Sequence, residues 1–319
     1  MSARPAPLDP VSRIEIAIGG LGKVAMNRHV PTLRSSGDFE LAAVFSPHEV
    51  LEGVPSYPDL ATLVRERPEV TAVALCTPPQ VRCRLAREAL EHGLHVLLEK
   101  PPAVTVGEVL GLAETAARRG LALFASWHSR HACAVEPARI WLANRRIAAA
   151  RITWKEDVRV WHPGQAWIWK AGGLGVFDPG INGLSVATRI LPHALALEQA
   201  DLYFPCNCET PSAARVLLLS GPNRAPVRAE LDFLQPGEPT WEIEVDTDAG
   251  RLRLSHGGTR LAIDGVAVSV PATPEYESLY ARFAGLVRGR AVDADTAPLQ
   301  LVTAALQGGR RFQVEPFVE

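Results

Sequence analysis

The chain has 319 residues, a length that suggests two domains of ordinary size. It is 47% hydrophobic and 21% charged, enough to bury a real core, which excludes a disordered chain. Its formal net charge of −2 offers no basic excess to neutralise phosphates, so nucleic acid is not expected as a partner.

The opening Met1-Ser-Ala-Arg-Pro-Ala-Pro7 reads as a flexible tail over residues 1–12, without the apolar stretch of a secretion signal. Short apolar runs then alternate with helical patterns. Strands are expected at Ile14–Ile18, Leu41–Phe45, Val73–Cys76, His95–Leu98 and Leu121–Ala125. Helices are expected after the first glycine-rich turn to about Arg34, then at Asp59–Arg67, Gln80–His92 and Val106–Arg119. Continuous apolar strands alternating with helices mark a parallel sheet covered on both faces, a doubly wound Rossmann domain over residues 13–128.

The rhythm changes in residues 129–319. A helix at Val135–Asn144 leads into a long strand-like segment, Ala149–Trp161, and a second helix is expected at about Gly180–Leu191. Ala214–Leu219, Val227–Phe233, Trp241–Thr247, Arg251–Ser255 and Arg260–Ile263 follow as consecutive strands joined by Gly, Pro and Asp turns. That pattern predicts an α+β domain with an open, mostly antiparallel sheet. Two late helices, Tyr276–Val287 and Pro298–Arg310, end the chain and can pack back on the first domain.

No apolar run reaches the roughly 20 residues of a membrane span, so no membrane association and a cytoplasmic setting are expected. The five cysteines are sparse and odd in number, which disfavours a disulfide framework. Cys206-Asn207-Cys208 has no second Cys or His pair at zinc spacing, so no metal is expected.

Gly20-Leu-Gly22-Lys23-Val24-Ala25 fits G-x-G-x-x-A directly after a strand and before a helix, the context a dinucleotide site requires. Gly20 permits the tight turn, Gly22 lets a pyrophosphate approach the backbone, and the helix start supplies N–H groups for its charge. The second strand runs into Ser46-Pro47-His48, with no carboxylate at its tip to hold a ribose 2′-hydroxyl. Ser46 and His48 suit a 2′-phosphate instead, which favours NADP or use of both NADP and NAD.

Glu99-Lys100-Pro101 closes the fourth strand, at the carboxyl edge where open α/β sheets bind ligands. A lysine there can stabilise a substrate hydroxyl as its proton leaves. At strand spacing Ile152, Trp154, Glu156, Val158 and Val160 share one face, so Glu156 interrupts an apolar stripe. A buried carboxylate needs partners, either sugar hydroxyls or a neighbour such as Arg151. Trp154, Trp161, Trp167 and Trp169 crowd the same stretch, and aromatic faces beside polar groups suit a polyhydroxylated ring. Asp178-Pro179 reads as a helix N-cap and its first residue, and Asn182 shares a face with Asp178.

Gly20-x-Gly22-x-x-Ala25, Thr77-Pro78-Pro79 and His95-Val-Leu-Leu-Glu99-Lys100-Pro101 resemble the glucose–fructose oxidoreductase / inositol dehydrogenase family over nearly the whole chain. The resemblance implies a cofactor held by Gly20, Gly22, Lys23 and Val24, by Ser46 and His48, and by Thr77, Pro79, Glu99 and Lys100. It gives Lys100 the contact with the reacting hydroxyl. Many members carry Asp-x-x-x-His in the second domain, with the His as acid/base. Here Asn182 takes the His position, and Asp178 becomes the expected base.

Trp127-His-Ser-Arg130, Trp154-Lys-Glu-Asp-Val158, Trp161-His-Pro-Gly-Gln165 and Gly172–Asn182 resemble the family's bacterial L-arabinose/D-galactose 1-dehydrogenases. That implies sugar binding by Lys100, Glu156, His162, Asp178 and Asn182, with His128, Trp161 and Trp241 nearby. A cyclic-polyol dehydrogenase and a non-catalytic sugar or nucleotide sensor remain alternatives. A homo-oligomer, with a dimer favoured, is expected from the open sheet.

Overall fold

A computed structural model describes residues 12–319. Residues 1–11 of the expected tail lie outside the described residues. The chain divides into two compact units, one running to His128 and including Glu275–Thr296, the other Ser129–Pro274 with Ala297–Glu319.

The first unit is built on a seven-stranded sheet in the order Val292–Asp293, Leu123–Ala125, His95–Leu98, Ala72–Leu75, Ile14–Gly19, Phe39–Phe45, Ser56–Tyr57. Every pairing in it is parallel. Ala72–Leu75 and His95–Leu98 are buried throughout, because helices cover both faces. One face packs against the helices Leu60–Glu66, Pro79–Glu91 and Val106–Arg119. The other receives Glu275–Gly289, whose Phe283 stacks on Phe39 with ring centroids 5.7 Å apart. Burying one such ring stabilises the fold by roughly 1.5–3 kcal/mol.

The second unit carries a nine-stranded sheet in the order Val266–Val268, Arg260–Ile263, Gly250–Ser255, Thr240–Thr247, Ile147–Lys155, Ala225–Asp232, Ala213–Ser220, Leu195–Pro205, Arg310–Val314. It is antiparallel except where Ile147–Lys155 meets Ala225–Asp232 and where Leu195–Pro205 meets Arg310–Val314. Alternation sorts its two faces: Val227, Ala229 and Leu231 are buried while Arg228 and Glu230 are exposed. Phe177–Ile190 packs on the buried face over Ile147–Lys155 and Thr240–Thr247. The opposite face carries cross-strand ion pairs such as Lys155–Glu230 and Arg253–Glu242. Both sheets match the expected fold class.

Three local expectations are corrected. The strand expected to reach Trp161 stops at Lys155, and Val158–Trp161 forms a short helix whose cap, Asp157, accepts the Arg159 N–H. The one-face stripe therefore ends at Glu156, and Val160 is 64% exposed. The next helix starts at Phe177 with Val176 as its cap, so Asp178 sits inside the first turn rather than capping it. Leu195–Pro205 is an eleven-residue strand that the expected elements omit. Among the described residues no helix is long and apolar enough to cross a membrane.

Candidate active site

In the first unit, Gly20 has φ +85°, and a Cβ there would lie 2.9 Å from the methyl group of Thr77. A glycine is needed on both counts. Around Gly22 nothing lies within 4 Å of where a Cβ would be, so the backbone is open to approach. The helix begins at Lys23 and Val24, then widens into a π turn at Ala25–His29. Thr77 Oγ1, beside this turn, is buried with no hydrogen-bond partner among the described residues. Buried hydroxyls are rarely left so, and a dinucleotide's ribose or phosphate oxygens would supply the missing partner. Pro79 opens the helix that follows. The glycine turn and the orphan hydroxyl together fit a dinucleotide.

The tip of the second strand departs from expectation. Ser46 is buried and its hydroxyl donates to the carboxylate of Glu49, so an acidic group does stand there, returned by the turn. His48 is exposed beside it.

The lysine turn is held by a buried network that sequence reasoning missed. The Glu99 carboxylate accepts the Lys100 N–H at 2.6 Å and the Tyr276 hydroxyl at 2.7 Å, and lies 3.2 Å from His29 Nε2. His29 Nδ1 lies 2.7 Å from the Tyr280 hydroxyl. Burial opposes charge on both Glu99 and His29. The hydrogen bond from His29 and the nearby His128 hold the Glu99 carboxyl well below its usual range, while Cys76, Tyr280 and Glu99 lift His29 well above its own. Glu99 thus faces the interior of the unit, and its N–H donates to Leu75. His128 pairs with Glu275 at 2.7 Å and stacks on Tyr276. Burial lowers the His128 pKa, but Glu275 outweighs it and raises the value. These partners are up to 251 residues apart in sequence, and no local pattern announces them.

In the second unit, Glu156, His162, Asp178 and Trp241 come together from a strand end, a loop, a helix and another strand. Glu156 is 4% exposed and accepts Trp241 Nε1–H at 2.8 Å. His162 Nε2 lies 3.1 Å from Glu156, and its Nδ1 lies 3.8 Å from Asp178. Partners of the buried Glu156 are thus an indole and an imidazole. Asp178 is also buried, and Asn182, one turn further along the helix, is half-buried. Trp161 is 38% exposed and meets Trp241 edge-on at 4.8 Å, while Trp154 stacks behind Trp241 at 6.2 Å. The result is two carboxylates and an imidazole beside an aromatic wall. A cavity of about 320 Å³, bounded by Gln165, Trp169, Asn207 and Phe317, reaches His162 from the side of the short helix. Among the described residues no group of three or more His, Cys, Asp or Glu is arranged to hold a metal.

A family described as "Oxidoreductase family, NAD-binding Rossmann fold", the Gfo/Idh/MocA group, matches residues 14–126. A galactose 1-dehydrogenase of Pseudomonas fluorescens is 42% identical over 306 residues, covering 96% of this chain and 99% of that protein. The crystal structure of a D-galactose-1-dehydrogenase protein from Rhizobium etli is similar at a TM-score of 0.92 and 45% identity, over 98% of this chain and 100% of that one. KijD10, a 3-ketoreductase of Actinomadura kijaniata in complex with NADP and TDP-benzene, shares the fold at a TM-score of 0.81 and 20% identity, over 95% and 100% of the two chains. The glycine turn, the lysine turn and likeness over nearly the full length converge: the chain belongs to the Gfo/Idh/MocA family of oxidoreductases with an NAD-binding Rossmann fold.

Proposed function

We propose that this oxidoreductase oxidises the anomeric C1 hydroxyl of an aldopyranose, D-galactose or L-arabinose, to the aldonolactone. The observation that carries this is the Glu156–His162–Asp178 cluster against the Trp161–Trp241 wall, which offers acceptors and donors to ring hydroxyls and an apolar surface to ring C–H groups. The galactose 1-dehydrogenase relatives support it.

Asp178 accepts the C1 hydroxyl proton, and Lys100 stabilises the oxygen as charge develops. Glu156, His162 and Asn182 orient the ring hydroxyls, with His128, Trp161 and Trp241 completing the binding set. Much of the rate then comes from positioning. A bound nicotinamide supplies the acceptor for the hydride that leaves C1. Gly20, Gly22, Lys23, Val24, Thr77 and Pro79 hold that cofactor, with Glu99 supporting the Lys100 turn. Ser46 and His48 favour NADP whereas Glu49 favours NAD, and we propose use of both. A homodimer through the open face of the nine-stranded sheet and a cytoplasmic setting belong to the same proposal.

The test is near-ultraviolet absorbance of the purified protein with NADP⁺ or NAD⁺ against L-arabinose, D-galactose, D-xylose, D-glucose and inositol. Reduced cofactor with D-galactose or L-arabinose supports the proposal. Turnover of inositol alone, or cofactor binding with no turnover of any sugar, overturns it.

A further inference from the structure

We infer that Arg82 is a positioning residue for Lys100, a clamp that fixes the lysine turn from below. Arg82 lies in the first turn of the helix Pro79–Glu91 and is 3% exposed. One guanidinium nitrogen donates to the carbonyls of Glu99 and Pro101, and the other terminal nitrogen donates to the carbonyl of Thr77. Glu99 and Pro101 flank Lys100. Pinning both carbonyls sets the backbone on each side of the lysine, and therefore the point from which its side chain starts. Thr77 carries the orphan hydroxyl beside Gly20. One buried side chain therefore ties the lysine turn to the loop that borders the glycine turn.

Arg82 differs from an ordinary packed residue in two ways. A cation in the first turn of a helix opposes the helix dipole, and burying it costs several kcal/mol unless hydrogen bonds compensate. A surface-facing position would have avoided the burial penalty. The donor geometry is also specific to arginine: a planar fork with several N–H groups can span three carbonyls, whereas a lysine ammonium is one compact point. The Glu99 carboxylate holds the Lys100 N–H independently, so the turn is fixed through its N–H by Glu99 and through its carbonyls by Arg82.

The inference rests on Lys100 acting at the reacting hydroxyl. The chain has four lysines, Lys23, Lys100, Lys155 and Lys170, so protein labelled with ¹³C at the lysine ε carbon shows one signal for each. The Lys100 signal is identified by its loss in Lys100→Met. In Arg82→Gln the Lys100 signal is expected to move to the position of a mobile lysine and sharpen, with the other three unchanged. Turnover of D-galactose should fall about 100-fold, the cost of a misplacement near 1 Å. In a Lys100→Met background, Arg82→Gln should cause no further loss, because the two act as a unit. Arg82→Lys, which keeps the buried cation but loses the fork, should lose turnover as well.

An unmoved Lys100 signal overturns the clamp, as does a loss that adds in full to that of Lys100→Met. Failure of both Arg82 variants to fold marks a structural residue and overturns it too. Full activity in Lys100→Met sinks the reading of Lys100 itself, while the NMR result still reports whether Arg82 orders the turn.

Discussion

The two units hold their buried carboxylates in opposite ways. In the first, Glu99 is met by its own turn, by Tyr276 and by His29, all within hydrogen-bond distance. In the second, Glu156 holds His162 at 3.1 Å while Asp178 faces the same imidazole at 3.8 Å, beyond a hydrogen bond. The first arrangement is closed on itself and carries charge as part of the fold. The second leaves one imidazole tied to a single carboxylate, with a second carboxylate and an aromatic wall beside it. The lesson is that burial of a charged group does not by itself mark chemistry; what stands beside it, here a second carboxylate and an aromatic wall, separates a candidate site from scaffold.

The contrast breaks if Asp178 behaves like Glu99. Asp178→Asn keeps the shape and removes the base, so kcat should fall about 10³-fold, with melting temperature and cofactor affinity little changed. Steady-state rates with D-galactose check it, and near-normal turnover would return Asp178 to the scaffold.

His29→Gln should do the reverse. It leaves the buried Glu99 without its charged partner and should cost about 3–5 kcal/mol of stability, read from denaturant midpoints. The pair also predicts a pH window. Glu99, held low, contributes stability that is present above the ordinary carboxyl pKa and lost as pH falls through its folded value. His29, held high, contributes stability that is full below the ordinary imidazole pKa and lost as pH rises through its folded value. Stability from the pair should therefore be greatest between those limits, and His29→Gln should flatten the alkaline limb.

A smaller pH effect comes from His95, which burial lowers to about 4 and whose Nδ1 accepts the Ala122 N–H at 2.9 Å. The neutral ring contributes stability above about pH 6.5, lost progressively down to its folded pKa, on the order of 3 kcal/mol in all. Melting curves between pH 7 and 4, with His95→Asn showing the shallower decline, check this contribution. The smallest effect is expected at the surface. Glu49→Gln removes one exposed like charge from the path of a 2′-phosphate and should raise preference for NADP over NAD a few-fold, less at high salt. An unchanged ratio of kcat/KM values would take Glu49 out of cofactor choice.

The first unit was the more legible in sequence because its signals are local. Ile14–Gly19, the glycines and the start of the helix follow one another, and buried parallel strands read as unbroken apolar runs. Leu195–Pro205 escaped because only Ala200, Leu202 and Pro205 are buried, and a register shift between Leu197 and Gln199 breaks the alternation. Of the second unit's cluster, Glu156 stood out as a carboxylate in an apolar stripe, and Asp178 through its resemblance to a motif. Their joining through His162 and Trp241 needed the sheet pairing that sets Trp241 across from Trp154. Arg82 and His29 gave no signal, since a charged residue in a helix is ordinarily a solvated one.

Glycine spacing on the helix of the second unit has a reach beyond packing. A Cβ at Gly183 would fall 2.7 Å from the Trp154 ring, and one at Gly180 would fall 2.6 Å from Leu231. Two absent methyl groups therefore set how deeply the helix beds on the sheet. Asp178 travels with the helix and Glu156 with the strand, so these glycines act as a gauge for the separation of the two acids while touching neither. A larger residue at position 183 would lift the helix and change that separation without altering either acid.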